Sequence, residues 1–129
     1  PIKVSKSKLK NKVLLIVEDN EPSAILLREM LKGTGAVLLQ AATGKEVATI
    51  LNDKVKIDIA LVDVYLPDMS GYEVVTKIKQ AQPNVRVIAQ TANAMDTDRQ
   101  KSLEAGCDEH ITKPIDKDKL IELLSMLLS

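Results

Sequence analysis

Apolar residues fall into short unbroken runs, separated by stretches in which they recur every three or four positions. The first run, Val13-Leu-Leu-Ile-Val17, stops at Glu18-Asp19 and has the pattern of a strand covered on both faces. Pro22 then stands where a first helical turn tolerates proline, and Ile25, Leu26 and Met30 lie at helical spacing before Gly33 and Gly35 end the helix. Val37 to Ala41 reads as a second strand. Thr43-Gly-Lys-Glu46 has capping-box form, and Val47, Ile50 and Leu51 mark the apolar stripe of a second helix. Ile57 to Val62 is a third buried strand, running into Asp63 and a turn at Leu66-Pro67-Asp68-Met69. Another capping box, Ser70-Gly-Tyr-Glu73, opens a helix buried through Val74, Val75 and Ile78 and closed by Pro83. Val85 to Ala89 is a fourth strand running out at Gln90-Thr91, and Asp96 to Ala105 reads as a helix stopped by Gly106. A short strand near Glu109 to Ile111 precedes a last helix capped by Asp116, with Ile115 and Leu120 as a hydrophobic staple and Leu124 and Leu127 continuing the stripe.

Strands alternating with helices through short connections predict an α/β domain with right-handed crossovers and helices on both faces of a parallel sheet. Five strands and five helices suit the doubly wound order 2-1-3-4-5, a flavodoxin-like fold. Its crevice lies outside the carboxyl ends of strands one and three, where the winding reverses. Glu18, Asp19 and Asp63 all fall there.

A chain of 129 residues with 45% hydrophobic and 28% charged residues is expected to form one domain over residues 12–129 with a single aliphatic core. Two Tyr and no Trp or Phe give no stacking platform for single strands, and 18 basic residues balance 18 acidic ones, so no direct nucleic-acid or membrane partner is indicated. Residues 1–11 form a basic segment with Lys3, Lys6, Lys8 and Lys10, continued by Lys12, which reads as a solvated linker in preference to a nucleic-acid arm. Cys107 stands alone and fits a reducing cytoplasm. No signal peptide is recognisable, and the apolar runs are far shorter than the ~20 residues of a membrane span.

Three carboxylates at the mouth of a low-dielectric sheet repel one another unless a cation or protons compensate. Oxygen-only donors suit a hard divalent ion, Mg²⁺ or Mn²⁺, and not zinc. Such an ion, held by Asp19 and Asp63, would neutralise charge as a carboxylate oxygen of Asp63 attacks phosphorus. Thr91 at the end of strand four supplies a hydroxyl, and Lys113 after strand five an ammonium, for the oxygens of a phosphoryl group. Each residue alone has a bland reading: acids at a helix start, a strand threonine, a surface lysine. Their joint placement at four sheet positions favours a phosphoryl-transfer site with Asp63 as nucleophile.

The pair Glu18-Asp19, the segment Asp63-Val-Tyr-Leu-Pro-Asp-Met-Ser-Gly71, Thr91-Ala92 and Lys113-Pro114 together resemble the receiver domain of two-component response regulators, over about Lys12 to Ser129. The resemblance implies phosphorylation of Asp63, Mg²⁺ held by Glu18, Asp19, Asp63 and the Tyr65 carbonyl, Thr91 as the switch hydroxyl, Lys113 as phosphoryl sensor, and a cis bond before Pro114. It implies a histidine kinase or a histidine phosphotransfer protein as partner. As an isolated domain, the chain then catalyses only its own phosphorylation and dephosphorylation. Thr91-Ala-Asn-Ala94 and Glu104-Ala-Gly-Cys-Asp-Glu109 look most like receivers of hybrid sensor histidine kinases, which fits a basic linker before the domain and no output domain after the last helix. A stand-alone receiver stays open, as does a parent chain anchored in the membrane.

Three positions depart from the family pattern. His110 takes the place of the switch aromatic and would make switching sensitive to acidity. Tyr65 sits two residues beyond the phosphoacceptor, where its bulk bears on the hydrolytic water. Leu66 replaces the commoner Met, a volume-conserving change. The last helix carries more leucines than one stripe needs, which reads either as a partner face, a weak homodimer included, or as contacts with a continuing chain. Two rivals fit less well. An aspartyl-phosphate hydrolase would carry a second Asp where Tyr65 stands, and a flavin or nucleotide binder would carry glycines in place of Val17-Glu-Asp-Asn-Glu21.

Overall fold

The computed structural model describes residues 6–92 and 96–128. Its strands are β1 (Val13–Val17), β2 (Val37–Ala41), β3 (Ile59–Asp63), β4 (Arg86–Thr91) and β5 (Glu109–Thr112). They alternate with α1 (Glu21–Leu31), α2 (Gly44–Asn52), α3 (Gly71–Ala81), α4 (Asp96–Ala105) and α5 (Lys117–Leu127). All strand pairs are parallel, in the expected order β2-β1-β3-β4-β5.

The unbroken apolar runs become strands because each face of the sheet has its own core. Every residue of β3 is buried. Alternation sends Leu14, Ile16, Ile59, Leu61, Ile88 and Ile111 to one face, under α1 and α5. Leu15, Val17, Ala60, Val62, Val87 and Ala89 go to the other, against Val47 of α2 and Val74, Val75 and Ile78 of α3. Each such Leu, Ile or Val side chain contributes roughly 1.5–3 kcal/mol on burial, which is how a chain without Phe or Trp sustains its core. Cys107 joins the second cluster, and burial pushes its thiol up to about 12.

Where the ladder ends, side chains take over the backbone groups. Residues 57 and 58, expected as strand, precede β3. Ile57 N–H donates to Gln82 Oε1 at 2.9 Å, and Val13 N–H to Asp58 Oδ2 at 2.8 Å. Asp108 accepts from Lys79 Nζ at 2.9 Å, Arg86 at 3.2 Å and Val87 N–H at 2.8 Å, which ties the approach to β5 onto α3 and β4. Burial opposes its ionisation, but these partners hold its carboxyl below the usual range.

Helix starts follow the sequence closely. Thr43 Oγ1 accepts from Glu46 N–H at 3.1 Å and Asp116 from Lys119 N–H at 3.0 Å, while Ser70 Oγ accepts from Tyr72 N–H at 3.1 Å. The reciprocal arm of the first capping box is displaced by one residue, since Glu46 Oε2 accepts from Ala42 N–H. In α1 the buried face differs from the expected one. Ala24, Leu27 and Leu31 are buried, while Ile25 and Leu26 are 52% and 54% exposed. Ala24-Ile-Leu-Leu27 offers two overlapping stripes at helical spacing, and only packing chooses between them.

The basic segment expected as a solvated linker folds back in part. A 3-10 turn at Lys6–Leu9 carries Leu9 to 0% exposure within the α1/α5 core, and Asn11 N–H donates to Gly35 O at 2.9 Å. Pro1 to Ser5 lie outside the described residues, as do Asn93 and Ala94 of the Thr91-Ala-Asn-Ala94 stretch. The surplus of leucines on α5 is largely absorbed, since Leu123, Leu127 and Leu128 pack against the core and Met126 is exposed. No helix among the described residues is long and apolar enough to cross a membrane.

Gly71, at the start of α3, lets that helix approach the end of β3. A Cβ there would strike the Asp63 carbonyl oxygen and Val64 Cα, both backbone atoms. At Gly44 it would meet only the side chain of Met69, which can move aside. Urea unfolding of Gly71→Ala is expected to show a loss of about 2–3 kcal/mol, with Gly44→Ala costing about 1 kcal/mol or less. Equal effects would contradict the close approach.

Candidate functional site

The strands at the centre of the sheet, β1 and β3, end side by side, and the helices that follow depart to opposite faces. Their carboxyl ends are therefore open to solvent. Glu18 follows β1 directly, held by its N–H to Ala41 O at 3.0 Å, and its side chain is fully buried. Asp63 closes β3 at 5% exposure, and Asp19 is exposed beside them. One carboxylate oxygen from each of the three lies within 4.8 Å of the others. Convergence of Glu18, Asp19 and Asp63, expected from the strand order, is observed.

Lys113 reaches the cluster from the turn after β5. Its Nζ donates to Glu18 Oε1 and to Asp63 Oδ2, both at 2.9 Å. Its own N–H donates to Thr91 O at 2.9 Å, and the Lys113-Pro114 peptide is cis, as expected. In this state the ammonium pairs with the acids themselves. Three carboxylates against one ammonium leave two negative charges uncompensated, and the donors are oxygen only. The site thus fits a hard divalent cation in charge and chemistry.

Titration follows the geometry. Burial raises the Glu18 carboxyl and the neighbouring Asp63 raises it further, with the Lys113 hydrogen bond working the other way. Desolvation lowers Lys113, but hydrogen bonds to Asp63 and Glu18 outweigh it and the ammonium is held above its ordinary range.

Thr91 is buried at the end of β4, one residue past Gln90, which is in register with Asp63. His110 is half-buried and pairs with Ala89, and Thr112 pairs with Thr91. Alternation puts His110 and Thr91 on the same face of the sheet. Tyr65 N–H donates to Asp63 Oδ1 at 2.8 Å, while its side chain is 60% exposed.

Two residues of the site escaped the sequence reading. Asp68 spans the loop after β3 and accepts from Gly44 N–H at 2.9 Å and Lys45 N–H at 3.1 Å, joining that loop to the start of α2. These backbone donors hold its carboxyl below the usual range. Its place in a Pro-Asp turn was the signal available. Gln90 is fully buried with neither amide atom paired among the described residues, and a glutamine in a strand run gives no warning of that.

The model of one protein family, described as the response regulator receiver domain, matches residues 14–125. The chain belongs to that family. The polar-differentiation response regulator DivK of Brucella ovis is 33% identical to this receiver domain over 119 residues, 91% of this chain and 96% of that one. Hybrid signal transduction histidine kinase I of Dictyostelium discoideum is 31% identical over 132 residues, which span 96% of this chain and 8% of the kinase. Among solved structures, a CheY-like response regulator receiver domain protein of Methanospirillum hungatei JF-1 matches with a TM-score of 0.85 at 30% identity, covering 92% of this chain and 94% of that one.

The charge arrangement of this receiver domain has consequences for its stability. A carboxyl raised by the fold binds its proton more tightly when folded, so stability falls as pH rises from the ordinary value of 4.5 through the raised one. In metal-free buffer at neutral pH, Glu18→Gln is expected to unfold at a higher temperature, with a gain of about 1 kcal/mol, because Lys113 keeps Asp63 as partner. Lys113→Ala is expected to lose about 2 kcal/mol, leaving two close carboxylates uncompensated. Lys113 is raised as well, so its slope has the same sign in a more alkaline window: its contribution is complete below the ordinary 10.5, and so at neutral pH, and is lost as pH rises through the raised value. Calorimetric melting of both variants in EDTA checks the pair, and a less stable Glu18→Gln would refute the repulsion.

Proposed function

We propose that this receiver domain takes a phosphoryl group from a phosphohistidine of a partner protein onto Asp63 and changes conformation in response. The observation that carries the reading is the placement of Lys113 Nζ at 2.9 Å from both Asp63 and Glu18, inside a cluster whose carboxylate oxygens lie within 4.8 Å of one another. An Asp63 oxygen attacks phosphorus, the nitrogen–phosphorus bond breaks with its electron pair returning to the imidazole, and a mixed anhydride forms. Glu18, Asp19, Asp63 and the Tyr65 carbonyl would hold Mg²⁺ or Mn²⁺, which would supply charge neutralisation for the incoming phosphoryl oxygens. Lys113 exchanges its bond to Asp63 for one to a phosphoryl oxygen, and the Thr91 hydroxyl takes another.

Loss of the Lys113–Asp63 bond and the draw on Thr91 favour a second arrangement of β4, β5 and the helices after them, a population shift between two packings. His110, on the Thr91 face, is the side chain that follows the hydroxyl. As an isolated unit the domain acts only on itself. Its donor is a histidine kinase in the cytoplasm, and the phosphoryl group is held as a signal or passed on to a histidine phosphotransfer protein. The resemblance to a segment of the Dictyostelium hybrid kinase supports origin in such a chain, and a stand-alone regulator is the alternative.

Incubation with acetyl phosphate and Mg²⁺, followed by intact mass measurement, is expected to show one added phosphoryl group. Asp63→Asn should show none, and EDTA should suppress the reaction in the parent protein. An unmodified parent chain, or an adduct persisting in Asp63→Asn, rejects the assignment. Metal binding is separately measurable. With Mg²⁺ at ten times its dissociation constant, the folded state should gain about 1.4 kcal/mol, read as a higher melting temperature that Asp63→Asn largely loses. A melting temperature indifferent to millimolar Mg²⁺ would remove the ion from the account.

A further inference from the structure

The loop after β3 is fastened at its base and, separately, at its tip. At the base, Tyr65 and Ser70 face one another in an antiparallel bridge, and Gly71 N–H donates to Val64 O at 3.0 Å. Tyr65 N–H donates to Asp63 Oδ1 at 2.8 Å, so the base also touches the candidate phosphoacceptor. The tip rests on a different element. Asp68 Oδ1 accepts from Gly44 N–H at 2.9 Å and its Oδ2 from Lys45 N–H at 3.1 Å. Val47 N–H makes the first bond within α2, to Thr43 O, so Gly44, Lys45 and Glu46 have no partner inside the helix. Thr43 Oγ1 takes the Glu46 N–H and Asp68 takes the other two. The free donors of the first turn are thus shared between a local cap and one from the loop. Met69 reinforces the contact by lying over Gly44, where a Cβ would meet its sulfur.

Asp68 is exposed, and it bonds the start of a helix that already has a cap of its own. What the second cap adds is a fixed position for the loop, since its two charge-assisted bonds span from the tip to α2. That position matters for a cation. Mg²⁺ demands near-ideal octahedral geometry with oxygens at about 2.0–2.1 Å, so a donor displaced by about 1 Å ceases to be a ligand. Both the Tyr65 carbonyl and the Asp63 carboxylate, donors in the reading given above, depend on the same loop. We propose that Asp68 is a positioning residue for the cation site: by tying the loop tip to the amino end of α2, it holds the Tyr65 carbonyl and the Asp63 carboxylate ready for Mg²⁺. The inference rests on the proposed cation role of Asp63 and its neighbours, and it makes α2 part of the support of that site.

Three variants of the full chain separate position from charge and from helix stability. Asp68→Ala removes the charge and both acceptors, Asp68→Asn removes the charge and keeps one acceptor oxygen, and Thr43→Ala removes the local cap of α2 and leaves the loop contact. In metal-free buffer, the Tyr65 and Gly71 amides of Asp68→Ala are expected to exchange with solvent about fivefold faster than in the parent, and those of Thr43→Ala at the parent rate. On titration with Mg²⁺, the dissociation constant should rise about tenfold in Asp68→Ala, about threefold in Asp68→Asn, and not at all in Thr43→Ala. Equal losses in Asp68→Ala and Asp68→Asn overturn the proposal, because charge alone then accounts for them. An equal loss in Thr43→Ala overturns it in favour of helix stability, and unchanged exchange at Tyr65 in Asp68→Ala also overturns it. A parent chain indifferent to Mg²⁺ removes the cation reading and the role of Asp68 together. A parent that binds Mg²⁺ beside an Asp68→Ala that binds it equally well removes only the role of Asp68.

Discussion

Two carboxylates and an ammonium meet at the mouth of the sheet, and the balance among them organises the rest. Glu18 is buried beside Asp63, which by itself is unfavourable, and Lys113 lies 2.9 Å from both. That pairing draws the turn after β5 against the ends of β1 and β3. It also leaves the cluster two charges short of neutrality once Asp19 is included, so the same residues that are held together remain receptive to a doubly charged cation. Buried ion pairs are weak evidence for stability and better evidence for a site that is kept for use.

The scaffold makes this arrangement possible by separating two tasks. Aliphatic side chains on both faces of β1, β3 and β4 fix the strands, so the positions at their carboxyl ends are determined by the sheet and not by flexible loops. The loop after β3 is then secured from outside, by Asp68 on the backbone of α2 and by the close approach of α3 that Gly71 allows. Tyr65 N–H orients Asp63 from within the same loop. A carboxylate held in place beside a lysine on a flexible stem suits the phosphoryl acceptance proposed for Asp63.

Membership of the receiver family rests on the whole domain, whereas the individual roles of Glu18, Asp19, Asp63, Thr91, His110 and Lys113 are proposals grounded in geometry. His110 lies on the Thr91 face of β5, in the region that the proposed switch rearranges.

Strand order, helix caps and the meeting of Glu18, Asp19 and Asp63 were determined by the sequence alone. They depend on local periods and on topology rules that short-range pattern expresses directly. Tertiary structure decided which stripe of α1 is buried, because Ala24-Leu27-Leu31 and Leu26-Met30 are equally helical and only the shape of the facing sheet distinguishes them. It also decided that Leu9 joins the core, that Lys113 bridges two acids across 95 and 50 residues of chain, and that the amide of Gln90 is buried unpaired. Such contacts join residues distant in sequence, and no local pattern records the packing that brings them together.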